Sequence, residues 1–270
     1  MKKIVYPLRA IFRLTGLFGL TFIYLIWMLI RNAISGSVEE GMRFRKEVWA
    51  KHMMKIGGIR LTRVGTPPEH GHLFVVNHRS SIDPLINLAD ALLFPVAKVE
   101  FGRWPVIGQG AWATGIVFVD RSSLASRSKT RIAIAEALRK GYNVLIYPEG
   151  KTSNQYPTQL FKKGSFEVAA EFNFPVQPVA LEFKDRSDNW DHTCNFIQHF
   201  IRHFGKPVSE VELRYGPVLR SAHYHILLEK SQSWINAQIE LMRSNWDGPR
   251  WKNHQNSQQK VQVCQGKSLI

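Results

Sequence analysis

Cysteine is nearly absent from this chain of 270 residues: Cys194 and Cys264 lie far apart, with no ligand spacing around either. That excludes a disulfide framework and a cysteine-based zinc site, and it fits a reducing compartment. Acidic residues are scarce as well, 21 against 36 Lys and Arg, leaving a net charge of +15. Such a chain meets polyanions: nucleic acid, anionic lipid headgroups or phosphorylated substrates. Its basic residues do not alternate with aromatics on any recognisable nucleic-acid module, so that class of partner is unsupported. Internal repeats are missing too. Apolar residues make up 44% of the sequence, which is globular rather than disordered composition. The length suits one large domain with an appendage, or two small domains.

Charge is missing altogether from Leu14 to Ile30, a run bracketed by Arg13 and Arg31. As a helix this run is roughly 25 Å long, at the short end for crossing a bilayer. The flanking arginines can snorkel, and Tyr24 and Trp27 are interfacial in character. A membrane anchor is expected; a buried core helix and a cleavable signal peptide, with Ala33-Ile34-Ser35 as a poor cleavage site, are the alternatives. Basic residues flank both ends, so charge does not orient the segment, and spanning or one-leaflet insertion stays open. From Val38 to Ile56 the apolar residues Val38, Met42, Trp49, Met53 and Ile56 fall on one helical face, with Arg45, Lys46, Lys51 and Lys55 mostly elsewhere. This predicts a basic amphipathic helix lying on anionic lipid, with packing onto the core as the plainer reading.

Beyond Gly57-Gly58 the pattern alternates in an α/β manner. Strands are predicted at Leu73–Asn77, Val96–Val99, Ile116–Asp120, Val144–Tyr147 and Val176–Phe183, mostly continuous apolar runs buried on both faces. Glu210–Tyr215 alternates and predicts a strand with one wet face. Helices are predicted from a Ser122 or Ser123 cap to Gly141, over Ser165–Phe172 with Asn173 as the stop, and over Ala222–Trp246. Three units follow: an anchoring region at 1–58, a main domain at 59–247 and a polar basic tail at 248–270.

The most informative segment is Asn77-His78-Arg79-Ser80-Ser81-Ile82-Asp83-Pro84. A histidine and a carboxylate five positions apart point to different faces of a helix, so the pair converges only on a loop. Pro84 favours this, pushing Asp83 out of helical geometry and suiting the first turn of a following helix. A carboxylate on one ring nitrogen fixes the tautomer and makes the other nitrogen a general base. The plainer reading is that Asp83 caps a helix and His78 is a satisfied strand-end histidine.

Other segments also carry chemistry. Gly115–Arg121 is a strand ending in Asp120 and Arg121, a guanidinium suited to paired phosphate contacts. In Tyr147–Ser153, Gly150 permits close backbone approach and Lys151 adds charge. Pro175–Leu181 sets prolines in an apolar run, which predicts an edge or bulged strand near a groove.

Together and in this order, these segments resemble the glycerolipid acyltransferases, specifically the bacterial 1-acylglycerol-3-phosphate (lysophosphatidic acid) acyltransferases. Their blocks read N-H-x-x-x-x-D, G-x-x-F-(I/V)-x-R, F-P-E-G-T-R-S and V-P-V-x-P-V-A. The counterparts here are Asn77–Asp83, Gly115–Arg121, Tyr147–Ser153 and Pro175–Ala180. The resemblance implies an α/β fold with a central, mostly parallel sheet flanked by helices, and N-terminal membrane-binding helices. It implies catalysis by His78 and Asp83, and acceptor binding by Arg121, Glu149, Gly150, Lys151, Thr152 and Ser153. Lys98 is placed near the oxyanion or thioester. No metal and no resident cofactor are implied, and acyl-CoA or acyl-carrier protein serves as co-substrate.

The implied partners are the bilayer and a lysolipid, and the implied place is the bacterial inner membrane with the catalytic domain on its cytoplasmic face. No acyl-enzyme is needed, and the chain has no G-x-S-x-G nucleophile elbow. Where the third block carries Thr-Arg-Ser this chain has Lys151-Thr152-Ser153, so the guanidinium credited with the acceptor phosphate is absent. The expected product is phosphatidic acid. Lyso-ornithine lipid is the alternative acceptor, supported by Phe196–Phe200 and Phe204–Pro207. A thioester hydrolase and an inactive membrane-binding relative are the remaining readings.

Overall fold

A computed structural model describes residues 2–35, 37–102, 116–119 and 124–248. Its centre is a seven-stranded sheet in the order β1-β7-β6-β2-β5-β3-β4. The strands are β1 Ile59–Val64, β2 Leu73–Val76, β3 Phe94–Lys98, β4 Val117–Val119, β5 Val144–Ile146, β6 Val176–Phe183 and β7 Ser209–Tyr215. Every pairing is parallel except β6 with β7. The mostly parallel α/β fold is therefore present.

The helices are α1 Lys2–Ser35, α2 Val38–Phe44, α3 Lys51–Gly57, α4 Asp83–Asp90, α5 Val99–Gly102, α6 Leu124–Arg139, α7 Gly164–Glu171, α8 Phe196–Gly205 and α9 Tyr224–Asp247. Strands β2, β5 and β6 are buried along their whole length, as mostly apolar strands are when both faces of the sheet are covered. Leu73, Val75, Val144, Ile146 and Ala180 join one core with residues of α6, α7 and α9. Their strand neighbours Phe74, Val76, Leu145, Val179 and Leu181 join the opposite core with residues of α4 and Phe204 of α8. Period-two alternation thus divides one hydrophobic pattern between two layers.

Strand β6 corrects the edge-strand expectation. It lies inside the sheet, between β7 and β2, despite Pro178. Pro178 lacks an N–H on the side where its carbonyl accepts from Gly216 N at 2.9 Å. The buried Gln177 side chain supplies a donor there, its Nε2 donating to Gly216 O at 2.8 Å and to Pro178 O at 2.9 Å. A side-chain amide replaces the missing ladder bond, so the proline is tolerated in the interior.

The amphipathic segment is not one uninterrupted α-helix. It continues from α2 through a π-helical stretch, Arg45–Ala50, into α3. Met42, Ala50 and Met53 on its apolar face are buried, and the segment packs on α1 and α4. Arg45 is buried with them, donating to Leu93 O, because a guanidinium taken out of water needs a fixed acceptor.

Helix α1 extends the predicted apolar run. Its stretch Tyr6–Arg31 is long and apolar enough to cross a membrane, with mean hydropathy 1.7, and little of it is covered by protein. One side is held throughout its length. Arg9 donates to Gly205 O and Arg13 to Phe204 O, Lys206 O and Pro207 O, satisfying carbonyls at the end of α8. Further along, Trp49 Nε1 donates to Thr21, Tyr24 hydrogen-bonds His52, and Arg31 pairs with Glu40. The other side exposes Leu8, Ile11, Phe12, Phe22, Ile23 and Ile30.

Several expectations fall outside the described residues: Asp120, Arg121, the Ser122 or Ser123 cap, the Lys98 side chain and the tail beyond Gly248. Replacing Gln177 by Leu is expected to cost about 1–3 kcal/mol, since it leaves the part-buried Gly216 carbonyl without its side-chain donor. Urea unfolding of detergent-solubilised protein measures this; an unchanged midpoint would remove the surrogate-donor role.

Candidate active site

The parallel strands β2 and β5 run side by side, so the loops at their carboxyl ends open on the same edge of the sheet. From β2 the chain enters Asn77–Ile82. Asn77 closes its entry by imitating a strand residue: Nδ2 donates to Leu181 O and Oδ1 accepts from Leu181 N, both at 2.8 Å. Helix α4 starts at Asp83 with Pro84 in its first turn. The Asp83 carboxylate does not cap that helix. It turns back, and its Oδ2 accepts from His78 Nδ1 at 2.7 Å, Arg79 N at 2.6 Å and Ser80 N at 2.8 Å.

This arrangement fixes the imidazole. Asp83 is fully buried, whereas the His78 side chain keeps 18% of its surface exposed. With Nδ1 on the carboxylate, the proton sits at Nδ1 and Nε2 carries the lone pair. Nε2 has no hydrogen bond to any described residue. Tyr147 stacks on the ring at 4.1 Å between centroids, with planes 18° apart. Its phenol accepts from Asn87 Nδ2 at 3.1 Å, and burial, followed by the nearby Asp83 charge, pushes its pKa well above the ordinary value. Tyr147 therefore keeps its proton and forms a neutral wall against the ring.

The loop after β5 braces this one. Glu149 is buried, its Oε1 accepting from His78 N at 2.8 Å and its Oε2 from Gln159 N at 3.0 Å. Burial raises its pKa, opposed by Arg79 and by the amides it binds. Ser153 N donates to His78 O at 2.9 Å, so the two loops are joined on both sides of the histidine. Gly150 has φ 77°, a left-handed conformation that a side chain would strain. Thr152 hydrogen-bonds His192 Nε2 at 3.0 Å, and Ser153 Oγ accepts from Gln155 N. Lys151 is exposed on the wall of an open groove of about 870 Å³, which Glu149, Gly150, Gln155, Tyr156, Leu160 and Lys162 also line. Lys98 ends β3, beside β5 in the sheet.

Beneath the loops lies an ionic cluster that sequence reading missed. Arg79 Nε donates to Glu182 Oε2 at 2.6 Å, and Arg243 Nε donates to Glu182 Oε1 at 3.0 Å. All these side chains are buried. Arg79 also reaches Ser153 O and Gln155 O, tying both loops to β6. The signal was Glu182, the one charged residue of the buried strand β6: a buried charge requires partners. Trp190 N donates to Arg79 O and closes the far side.

Burial alone would raise the Glu182 carboxyl, but Arg79 and Arg243 outweigh it and hold the pKa below its ordinary 4.5. A depressed folded-state pKa adds stability that is present above about pH 4.5 and lost as pH falls through the folded value. Glu182→Gln should therefore lower stability at neutral pH by about 3–5 kcal/mol, leaving two buried guanidinium groups unbalanced. It should also flatten the pH dependence below 4.5. Denaturation between pH 3 and 7 tests both; a variant as stable as the wild type at pH 7 would contradict the charge balance.

With this geometry in view, known proteins place the chain. The sequence profile of the acyltransferase family matches residues 47–182, half of the chain. A lyso-ornithine lipid O-acyltransferase of Pseudomonas aeruginosa is 32% identical over 198 residues, covering 72% of this chain and 76% of that protein. A 1-acyl-sn-glycerol-3-phosphate acyltransferase of Neisseria gonorrhoeae is 35% identical over 130 residues, covering 46% of this chain and 50% of that one. In fold, the chain is similar to the crystal structure of a 1-acyl-sn-glycerophosphate acyltransferase from Thermotoga maritima. There the TM-score is 0.72 at 18% identity, covering 91% of this chain and 99% of the other. The chain belongs to the acyltransferase family.

Proposed function

We propose that this acyltransferase moves an acyl chain from the thioester of acyl-CoA or acyl-carrier protein to the free hydroxyl of a lysolipid, with His78 as general base. The observation that carries this reading is the hydrogen bond of His78 Nδ1 to buried Asp83, which leaves Nε2 as the available lone pair beside solvent. Nε2 takes the hydroxyl proton as the oxygen attacks the thioester carbonyl. The tetrahedral intermediate then collapses, the carbon–sulfur bond breaks, and the imidazolium returns the proton to the departing thiolate. Asp83 balances the imidazolium while it exists, and no acyl-enzyme forms. Glu149, both of whose oxygens are taken by backbone amides, shapes the loops. Gly150, Lys151, Thr152 and Ser153, with Arg121 and Lys98, are assigned to the substrates.

For the acceptor we favour lyso-ornithine lipid. The similarity to the Pseudomonas protein extends well beyond the span shared with the Neisseria one, and the third block lacks the family's phosphate-gripping guanidinium. The second reading is 1-acylglycerol-3-phosphate, supported by 35% identity to the Neisseria protein and by the exposed Lys151 cation beside the groove. Membrane attachment is assigned to α1. Because protein holds one side of it from Arg9 to Arg31, its opposite apolar stripe is suited to entering one leaflet rather than to a free-standing span.

His78→Ala is expected to lower kcat by about 10²–10⁴-fold with vesicle binding unchanged. Near-normal turnover would refute the assigned base. Labelled acyl donor with a panel of lysolipids should give the highest kcat/KM for lyso-ornithine lipid. A preference for 1-acylglycerol-3-phosphate would select the second acceptor, and fatty acid release equal to donor consumption would mark a hydrolase. Arg121→Ala should raise the acceptor KM more than the donor KM, and an unchanged acceptor KM would remove its headgroup role.

A further inference from the structure

Ser80 gives its backbone N–H to Asp83 and accepts from Asp83 N at 3.2 Å, so its placement sets that of the carboxylate. Its hydroxyl is fully buried and meets His199 Nε2 at 2.9 Å, across 119 residues of sequence. His199 belongs to α8 and is also fully buried. Trp190 stacks on it at 5.6 Å, and the same Trp190 donates its N–H to Arg79 O in the catalytic loop. Burial, then the charges of His203 and Arg202, lowers the His199 pKa to about 3, so the ring is neutral at physiological pH. Nδ1 of His199 has no hydrogen-bond partner among the described residues. Among the described residues the ring's one hydrogen-bond partner is therefore Ser80.

A neutral imidazole buried for a single hydrogen bond is costly unless that bond fixes something, because the unpaired nitrogen loses its water. We propose that His199 is a positioning residue for the catalytic dyad: it anchors the Ser80 hydroxyl and thereby holds the amides that orient the Asp83 carboxylate against His78. Helix α8 is then more than packing. Its C-terminal carbonyls bind Arg9 and Arg13 of the apolar α1, so the element that docks the anchor also sets the loop carrying the base.

The inference rests on the acyl-transfer reading. Wild-type turnover tests that reading, while ratios among variants test this one. In full-length enzyme with labelled acyl donor and the preferred lysolipid, His199→Leu should lower kcat by about 10–100-fold, as a small misplacement of a base does. Both KM values should stay within about two-fold. Gln can present a polar group near the Nε2 position and Asn cannot, so His199→Gln should recover most of kcat and His199→Asn should not. Ser80→Ala should match His199→Leu, and the double variant should lose no more than either single one. Thermal unfolding keeps the comparison to folded protein. The proposal is overturned if His199→Leu keeps wild-type kcat, if His199→Gln is as impaired as His199→Leu, or if the losses of His199→Leu and Ser80→Ala multiply.

Discussion

One carboxylate oxygen, Oδ2 of Asp83, accepts from a histidine ring and two successive backbone amides, and the site is arranged around that convergence. An acceptor with three donors cannot rotate away from any of them without stranding a buried polar group. The loop's shape, the histidine's tautomer and the accessibility of Nε2 are thus one constraint. Tyr147 and Glu149 act on the same histidine from other directions, one on its face and one on its main chain. The chemistry we propose, proton removal from an alcohol, needs a base held still and partly open to solvent.

Stiffness at the loop comes from below. Arg79 joins the loop to Glu182 in the middle of the sheet and to Ser153 and Gln155 in the neighbouring loop, while Arg243 approaches Glu182 from α9. Buried ion pairs contribute little net stability when complete and cost several kcal/mol when broken. Their use here is geometric: one cluster indexes both active-site loops against a central strand. Lys151 and Leu160 stand exposed on the wall of the neighbouring groove, outside this cluster.

Local chemistry made much of this legible. Mostly continuous apolar runs marked β2, β5 and β6, because a strand covered on both faces carries few polar side chains. The His78–Asp83 spacing pointed to a loop, since convergence is impossible on a continuous helix, but Pro84 does not hold Asp83 out of helical geometry: Asp83 is the first residue of α4. Asn173, just past the end of α7, has φ 53°, as expected of a residue tolerant of the left-handed region. Among the described elements β1, α5 and α8 went unread. The edge strand β1 alternates weakly, α5 is a single turn, and α8 was not predicted although Asn195 and Gln198 form a capping box at its start. Inference also failed where a residue's environment is set from afar. Pro178 reads as an edge residue until Gln177 is seen to supply its missing donor, and Arg45 reads as solvent-facing until Leu93 O is seen beside it.

The sequence by itself determined the alternating α/β pattern, the apolar N-terminal helix and the segments that bear the chemistry, because each depends on residues a few positions apart. Tertiary structure alone decided which groups meet: Glu182 with Arg79 and Arg243, His199 with Ser80, and Arg13 with the end of α8. Those contacts join residues from 61 to 193 positions apart. Local propensity carries no information about them, since a buried charge or imidazole states only that a partner exists. The sheet order and the packing of the helices choose which one.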